Sequence, residues 1–330
     1  MPLLLRFTFS LLLLFWLQDA TTAPRQQPYR TETSGSMSDD LGYRPLLKKP
    51  AFVRNGPVML LDEGHQNLVF NQGLDRLATA DGYKVRRSQS QFTADLLQKT
   101  NILVILEPGV RGAAASPMAP PPAFTDEEAA LVHDWIADGG ALLFALNGFA
   151  AGPHSVLTRL GVEFTLGVVT DPQLRKPSDT PGAIGQVFSG EPFLSSSHKI
   201  ILGRGPAERV KSVVLVGMSG IKTKPEGAAS LLQCSEDAQF NPDPRQIRVV
   251  AKSDAVASKA GAPVPAPHEP MAIAYTLGKG RVVVLGDARM VSATIYYDAD
   301  PRDGQYEGLR QGDNQQFALN AMHWLSGLLE

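Results

Sequence analysis

Val58-Met59-Leu60-Leu61-Asp62-Glu63-Gly64-His65-Gln66-Asn67 is the stretch on which the fold turns. Its apolar half shows no alternation with polar residues, the pattern of a strand buried on both faces. It stops abruptly in two carboxylates, a glycine, a histidine and an asparagine, the kind of side chains a parallel sheet delivers to its carboxyl edge. The same rhythm repeats downstream. Leu74, Leu77 and Ala78 fall at helical spacing between Gly73 and Asp81, and Gly82 suits the C′ position. Tyr83-Lys84-Val85 reads as a second, shorter strand. Phe92, Leu96 and Leu97 share one face of a short helix ending near Lys99, and Asn101 to Leu106 is a buried strand. Thr125-Asp126-Glu127-Glu128 is a capping box, in which hydroxyl and carboxylate satisfy orphan N–H groups. The helix it opens runs through Leu131, Val132, Trp135 and Ile136 and ends at Gly139-Gly140. Ala141 to Leu146 is a fourth strand, breaking at Asn147-Gly148. Alternation of this kind predicts an α/β class: a three-layer sandwich with a mostly parallel, flavodoxin-like central sheet.

From Gly161 the pattern changes. Val162-Glu163-Phe164, Lys199-Ile200-Ile201-Leu202, Val210 to Val216, Ser230-Leu231-Leu232 and Arg248-Val249-Val250 read as short strands, a β-rich insertion at about 165–270. Its last part, 253–270, is an Ala, Pro and Ser-rich loop. Ala272 to Leu277 and Arg281 to Asp287 then form a hairpin about Gly278-Lys279-Gly280, and its second arm ends in an acid. Tyr296-Tyr297-Asp298 opens a glycine-rich acidic loop reaching Asp313. The final helix, Asn314 to Leu329, carries Phe317, Ala321, Trp324 and Leu328 as the stripe that packs on the sheet.

Composition narrows the function classes. Thirty-one basic residues against 33 acidic ones in 330 leave a net charge of −2, with no electrostatic footprint for nucleic acid. The single cysteine, Cys234, excludes an intramolecular disulfide framework and a cysteine-rich zinc site. Its flanks hold no histidine or lysine to activate a thiolate, so it reads as a packing residue. At the start, Arg6 and the apolar run Phe7 to Leu17 are too short for a comfortable bilayer span and suit the core of a signal peptide. The small residues Ala20 to Ala23 follow, with Pro24 immediately after. We therefore expect a signal peptide at 1–23, a disordered lead-in at 24–50 and the α/β domain at 51–330, exported to a periplasmic or extracellular space. An uncleaved signal segment is the competing reading, and would be the sole contact with a membrane.

Three segments taken together resemble the class I glutamine amidotransferase-like superfamily. They are the Asp62-to-Asn67 strand end, the Phe124-to-Glu128 helix start leading into Gly139-Gly140-Ala141-Leu142-Leu143, and Gly280 to Asp287 with Asn314 to Leu325 behind it. More closely they are similar to its often exported bacterial branch of unknown-function domains. The resemblance covers most of 55–150 and 270–330 and not the middle. It implies an amidotransferase-like sandwich. Active members carry a cysteine at a sharp turn after a central strand, and a histidine and glutamate two residues apart after a later one. Here Asn147-Gly148 follows the fourth strand and Asp287-Ala288-Arg289 the late one. Neither half of the triad is present, so glutaminase chemistry is not expected.

If the sheet is parallel as read, Asp62, Glu63, His65 and Asn67, Glu107, Asn147 and Asp287 converge on its carboxyl edge. The loop holding Tyr296 and Tyr297 could cover the same edge, and its two tyrosines would then suit stacking on a sugar. Three readings compete for His65 and Asp62: loop architecture, contacts to a small polar ligand, or a general base assisted by Asp62 or Asp287. No cofactor is expected, although a histidine and two carboxylates could hold a divalent ion. The leading expectation is a non-catalytic domain binding a small polar ligand or an envelope protein. An extracytoplasmic hydrolase using His65, Asp62 and Asp287 is the alternative. An accessory subunit of a membrane complex, docking through the insertion, is a third.

Overall fold

A computed structural model describes residues 29–30, 36–65, 67, 70–109, 123–147, 154–165, 167–174, 185–241, 262–297 and 304–330. The expected signal segment, parts of the lead-in, most of the Glu107–Ala123 loop, Gly148, the Arg248–Val250 strand and Asp298 lie outside the described residues.

Two short strands, Tyr29–Arg30 (β1) and Ser36–Asp39 (β2), precede the α/β units. Val58–Asp62 (β3), Gln72–Ala80 (α1), Lys84–Ser88 (β4), Ala94–Gln98 (α2), Ile102–Leu106 (β5), Asp126–Ala137 (α3) and Ala141–Ala145 (β6) then follow in the expected alternation. Thr93 caps α2 by accepting from the Leu96 N–H, and Thr125 and Glu128 make both halves of the expected capping box on α3. Beyond them come Ser155–Arg159 (α4), Glu163–Phe164 (β7), Val168–Thr170 (β8), Gln186–Ser189 (β9), Lys199–Leu202 (α5), Ser212–Leu215 (β10), Ile221–Thr223 (β11), Ala229–Gln233 (β12), Gln239–Asn241 (β13) and Val264–Pro265 (β14). The chain closes with Pro270–Leu277 (β15), Gly280–Leu285 (β16), Ala293–Tyr297 (β17), Gln305–Gly308 (β18) and Asn314–Leu325 (α6).

The central sheet has seven strands in the order β12-β15-β16-β6-β5-β3-β4. The run from β16 to β4 is parallel, and the β15–β16 hairpin and β12 add an antiparallel edge. Alternation along each strand divides the core in two. Met59, Leu61, Val104, Leu143 and Val283 pack with Leu74 and Leu77 of α1 and Phe317 of α6, while Leu60, Leu103, Ile105, Phe144 and Val284 pack with Leu97 of α2 and Val132 and Ile136 of α3. Two helical layers enclose one sheet, the three-layer α/β sandwich read from the sequence.

The differences lie in the segments with weak apolar patterning. Between 36 and 50 the lead-in is ordered: β2 pairs with β17, and Tyr43 is 2% exposed, its ring beneath Arg76 and Arg310 and its hydroxyl donating to Gln315. This strand is held by backbone pairing, which leaves no hydrophobic period to read. Lys199–Leu202 is a helix rather than a strand. The His198 ring accepts from the Ile200 N–H at its start, and Ile200 and Ile201 are both buried. Tyr296 and Tyr297 belong to β17, not to a loop. Helix α6 stops at Leu325, so Leu328 leaves the apolar stripe and is 39% exposed. The insertion also contributes to the sandwich, since β12 within it forms the edge of the central sheet.

Candidate functional site

The polar tail of β3 bends back under α3. Gly64 allows this turn: a Cβ there would stand 2.6 Å from the Ser90 carbonyl oxygen. The turn buries the His65 ring between Phe92 and Phe124, at centroid distances of 4.6 and 4.4 Å. Its Nδ1 lies 2.8 Å from Asp62 Oδ1 and its Nε2 lies 3.0 Å from Glu128 Oε1. Where both carboxylates are ionised they only accept, so each ring nitrogen then donates and the ring is the imidazolium. Burial pulls its pKa down, but the hydrogen bonds and charges of Asp62 and Glu128 outweigh burial and raise it above the ordinary histidine value. Glu128 is also tied elsewhere. Its Oε1 accepts from the Phe92 N–H at 2.9 Å and its Oε2 from the Thr125 N–H at 3.0 Å. Asn67 finishes the turn, its Nδ2 donating to Leu106 O at 2.9 Å and to Asp62 Oδ2 at 3.3 Å.

A second group assembles at the ends of β5, β6 and β16. Glu107 follows β5 with φ of 43°, a left-handed conformation that a non-glycine residue keeps only where its surroundings impose it. A sharp turn therefore follows β5 at Glu107, while the expected one at Asn147-Gly148 runs outside the described residues. Asp287 ends β16 and accepts from the Val216 and Arg289 N–H groups, and from Asn147 Nδ2 at 3.4 Å. Arg289 Nη1 is 3.7 Å from Glu307 Oε2. Burial pushes both Glu107 and Asp287 up to about 7, against the pull of the Arg289 guanidinium that faces them.

Above these strand ends lies an antiparallel sheet in the order β1-β2-β17-β18. Its register places Asp39 opposite Thr294 and Thr294 opposite Glu307, with Met37, Tyr296 and Gln305 as the next row on the same face. Thr294 and Glu307 are fully buried, whereas Tyr306, on the opposite face, is 44% exposed. Asp39, Tyr296, Gln305 and Glu307 thus share the face from which Glu307 reaches Arg289, and Tyr297 lies on the opposite face.

The structure therefore sorts the expected residues into two groups. Asp62, His65 and Asn67 meet one another together with Glu128, which the sequence marks only as a helix cap. Asn147 donates to Asp287, and Glu107, Asp287, Glu307 and Tyr296 are the groups gathered about Arg289. His65 and Asp287 fall in different groups. Glu63 is drawn to the α1 side, where Arg87 donates to it, to Asn71 and to Asp75. Among the described residues, no group of three or more His, Cys, Asp or Glu has the geometry to hold a metal ion. Arg289 and Glu307 carry no motif. Only the two-residue step beyond Asp287 points to the arginine, and nothing local points to the glutamate.

No family model matches the chain, and no curated protein matches it. Among solved structures it is similar to the mmIFT52 N-terminal domain, at 14% identity over 82% of this chain and 97% of that one, with a TM-score of 0.52. It also aligns with a thua-like protein from Bacteroides uniformis at 14% identity over 85% of this chain and 94% of that one, TM-score 0.43. A gmp synthase subunit a protein from Thermoplasma acidophilum aligns at 11% identity over 83% and 96%, TM-score 0.41. Of these three, the first superposes closely enough to mark a shared fold. A shared fold does not carry activity.

Proposed function

We propose that the chain is an exported, non-catalytic domain of the amidotransferase-like kind, from the exported bacterial branch its motifs resemble. It takes a small polar ligand at the carboxyl edge of its sheet, around Glu107, Asp287, Arg289 and Tyr296. The observation that carries this reading is the convergence of these residues, from two strand ends and one covering strand, about a single guanidinium. A polar site at that edge is where open α/β sheets bind ligands. His65 supports it from the other side. With both nitrogens committed to carboxylates, the ring has no lone pair to act as a base or to ligate a metal. It serves instead as the pin that fixes the β3 turn against α3. The run Phe7 to Leu17 supports export, and an envelope protein is the competing occupant of the edge.

One observation favours a second reading. Glu107 combines a left-handed backbone with a carboxyl pushed up to about 7, beside an Asp287 pushed to the same value. Raised carboxyls in pairs suit acid and base work near neutral pH. A hydrolase built on this chain would run through Glu107 and Asp287 rather than through His65. A thermal-shift screen of neutral sugars, amino acids, carboxylates and amines, read beside Glu107→Gln and Tyr296→Phe, separates the two. Stabilisation of the parent protein by a compound left unchanged on incubation, weakened in both variants, supports the binding domain. Turnover of a compound, abolished in Glu107→Gln and retained in His65→Gln, overturns it in favour of the hydrolase.

A further inference from the structure

The layer between the covering sheet and the strand ends is rich in acceptors. Asn67 is 8% exposed, and its amide is fixed because both partners of Nδ2, Asp62 Oδ2 and Leu106 O, are acceptors. Its Oδ1 is thereby turned away from them, and has no hydrogen-bond partner among the described residues. Asp39 Oδ1 and Gln305 Oε1, on the inward face of the covering sheet, are buried and unpartnered in the same way. A series of neighbours links them. Glu107 directly follows Leu106, it feels the charges of Arg289 and Asp287, Arg289 pairs with Glu307, and Glu307 lies in register with Thr294 and Asp39.

Buried acceptors without donors are rare in native proteins, and each costs free energy until a donor arrives. The charges lean the same way. Asp39, Glu107, Asp287 and Glu307 face this layer, against Arg289 and the Arg76 guanidinium, whose Nη2 is given to the Asp40 carbonyl and whose Nε is buried without a partner among the described residues. Arg87, also near Asp39, is occupied by Glu63 and Asp75. Burial holds the Asp39 carboxyl up at about 6, and a positive charge in the layer would let it and its neighbours ionise.

We propose that this layer binds a small organic cation of the primary-ammonium class, whose N–H groups are accepted by Asp39, Asn67, Glu107, Asp287 and Gln305. The inference rests on the binding reading above and narrows it to donor-rich, positively charged ligands. It also makes β2, from the segment that follows the export signal, a wall of the site rather than a tail.

The test is titration calorimetry of the full chain with matched pairs, putrescine against 1,4-butanediol and glucosamine against glucose, with glucuronate as the anionic member. The ammonium member of each pair is expected to bind at least tenfold tighter. Asp39→Asn and Glu107→Gln, both isosteric, are expected to bring that ratio close to one. At pH 7 the heats of putrescine binding, compared between buffers of different ionisation enthalpy, are expected to show proton release, a readout that does not depend on any variant folding. Neutral members binding as tightly as their ammonium partners, or glucuronate binding best, would overturn the cation while leaving a binding domain in place. No binding by these five compounds, together with no hit in the broader thermal-shift screen, would remove both.

Discussion

Glu128→Ala is the substitution whose consequence can be worked most fully. In sequence it is the last residue of a helix cap, and losing a cap costs about 1 kcal/mol. In the structure the same carboxylate closes α3, accepts the buried Phe92 N–H and holds the Nε2 side of the His65 imidazolium. Its removal leaves one buried N–H orphaned, at about 1–3 kcal/mol. It also breaks one side of a buried charge network, at about 3–5 kcal/mol. These costs overlap, because His65 can shed its Nε2 proton and settle on Asp62 alone. A loss of roughly 3–5 kcal/mol follows, or about 6–15 °C in Tm for a domain of this size. Glu127→Ala is the control: it sits one residue earlier in the same helical turn, is exposed, and is expected to cost less than about 1 kcal/mol through the helix dipole. Urea melts of both variants decide the matter. Equal, small losses would show that the His65 pin carries no load and that Glu128 is only a cap.

Stability should fall as pH rises from about 5 to 8. Glu107 and Asp287 are pushed up to about 7 in the fold from ordinary values of 4.5 and 3.8, so the unfolded chain gives up its protons first and the penalty grows through this window. The raised His65 adds to the same trend, its contribution being complete below pH 6.5 and lost as pH passes its folded value. Denaturant midpoints against pH should therefore flatten in Glu107→Gln, and an unchanged slope would contradict the assignment. His154 works in the opposite direction: it is 8% exposed with neither ring nitrogen partnered among the described residues, and burial pushes its pKa down to about 4. His154→Phe should raise stability at pH 4 by about 3 kcal/mol and little at pH 8, as read from melts at the two pH values. Cys234 is fully buried, which pushes its thiol up, so an alkylating reagent should leave it untouched in the native protein and modify it once urea unfolds the chain. Asn314→Leu should cost roughly 2 kcal/mol or more by chemical melt, since its amide bonds both the N–H and the carbonyl of Val214, leaving these two buried backbone groups unpaired, while the Gly308 carbonyl keeps the Gln311 N–H.

What was legible in the sequence follows how each element is held. The strands from Val58 to Asp62, Ile102 to Leu106 and Ala141 to Ala145 are buried on both faces, so their apolar runs announce them, and the capping box at Thr125 fixes a helix start to the residue. Ser36–Asp39 and Lys199–Leu202 gave no such notice. The first is held by main-chain hydrogen bonds to β17, which any side chain permits. The second is too short to show a period, and its four residues, Lys-Ile-Ile-Leu, suit a strand equally well. The tyrosine pair illustrates the same limit: strand β17 alternates Thr294, Tyr296 inward against Ile295, Tyr297 outward, but its polar and aromatic mixture reads as loop when its partner strand is a segment more than 250 residues away.

The site was half legible for a related reason. Parallel topology alone brings Asp62, Glu107, Asn147 and Asp287 to one edge, because each ends or directly follows a strand running the same way. It does not say which of them touch. Sheet order decides that: β3 and β16 are separated by β5 and β6, so His65 and Asp287 cannot share a catalytic centre, while Glu107 and Asp287, two strands apart, can share Arg289. The partners that complete both groups, Glu128 on α3 and Glu307 on β18, arrive from layers above and below the sheet, where strand-end logic is silent. A polar residue at a strand end is thus a reliable pointer to the edge and a poor one to its neighbour. The layer that covers the edge supplies the partners that strand-end logic omits, and in this chain it includes β2, the short polar strand that composition alone assigns to a disordered tail.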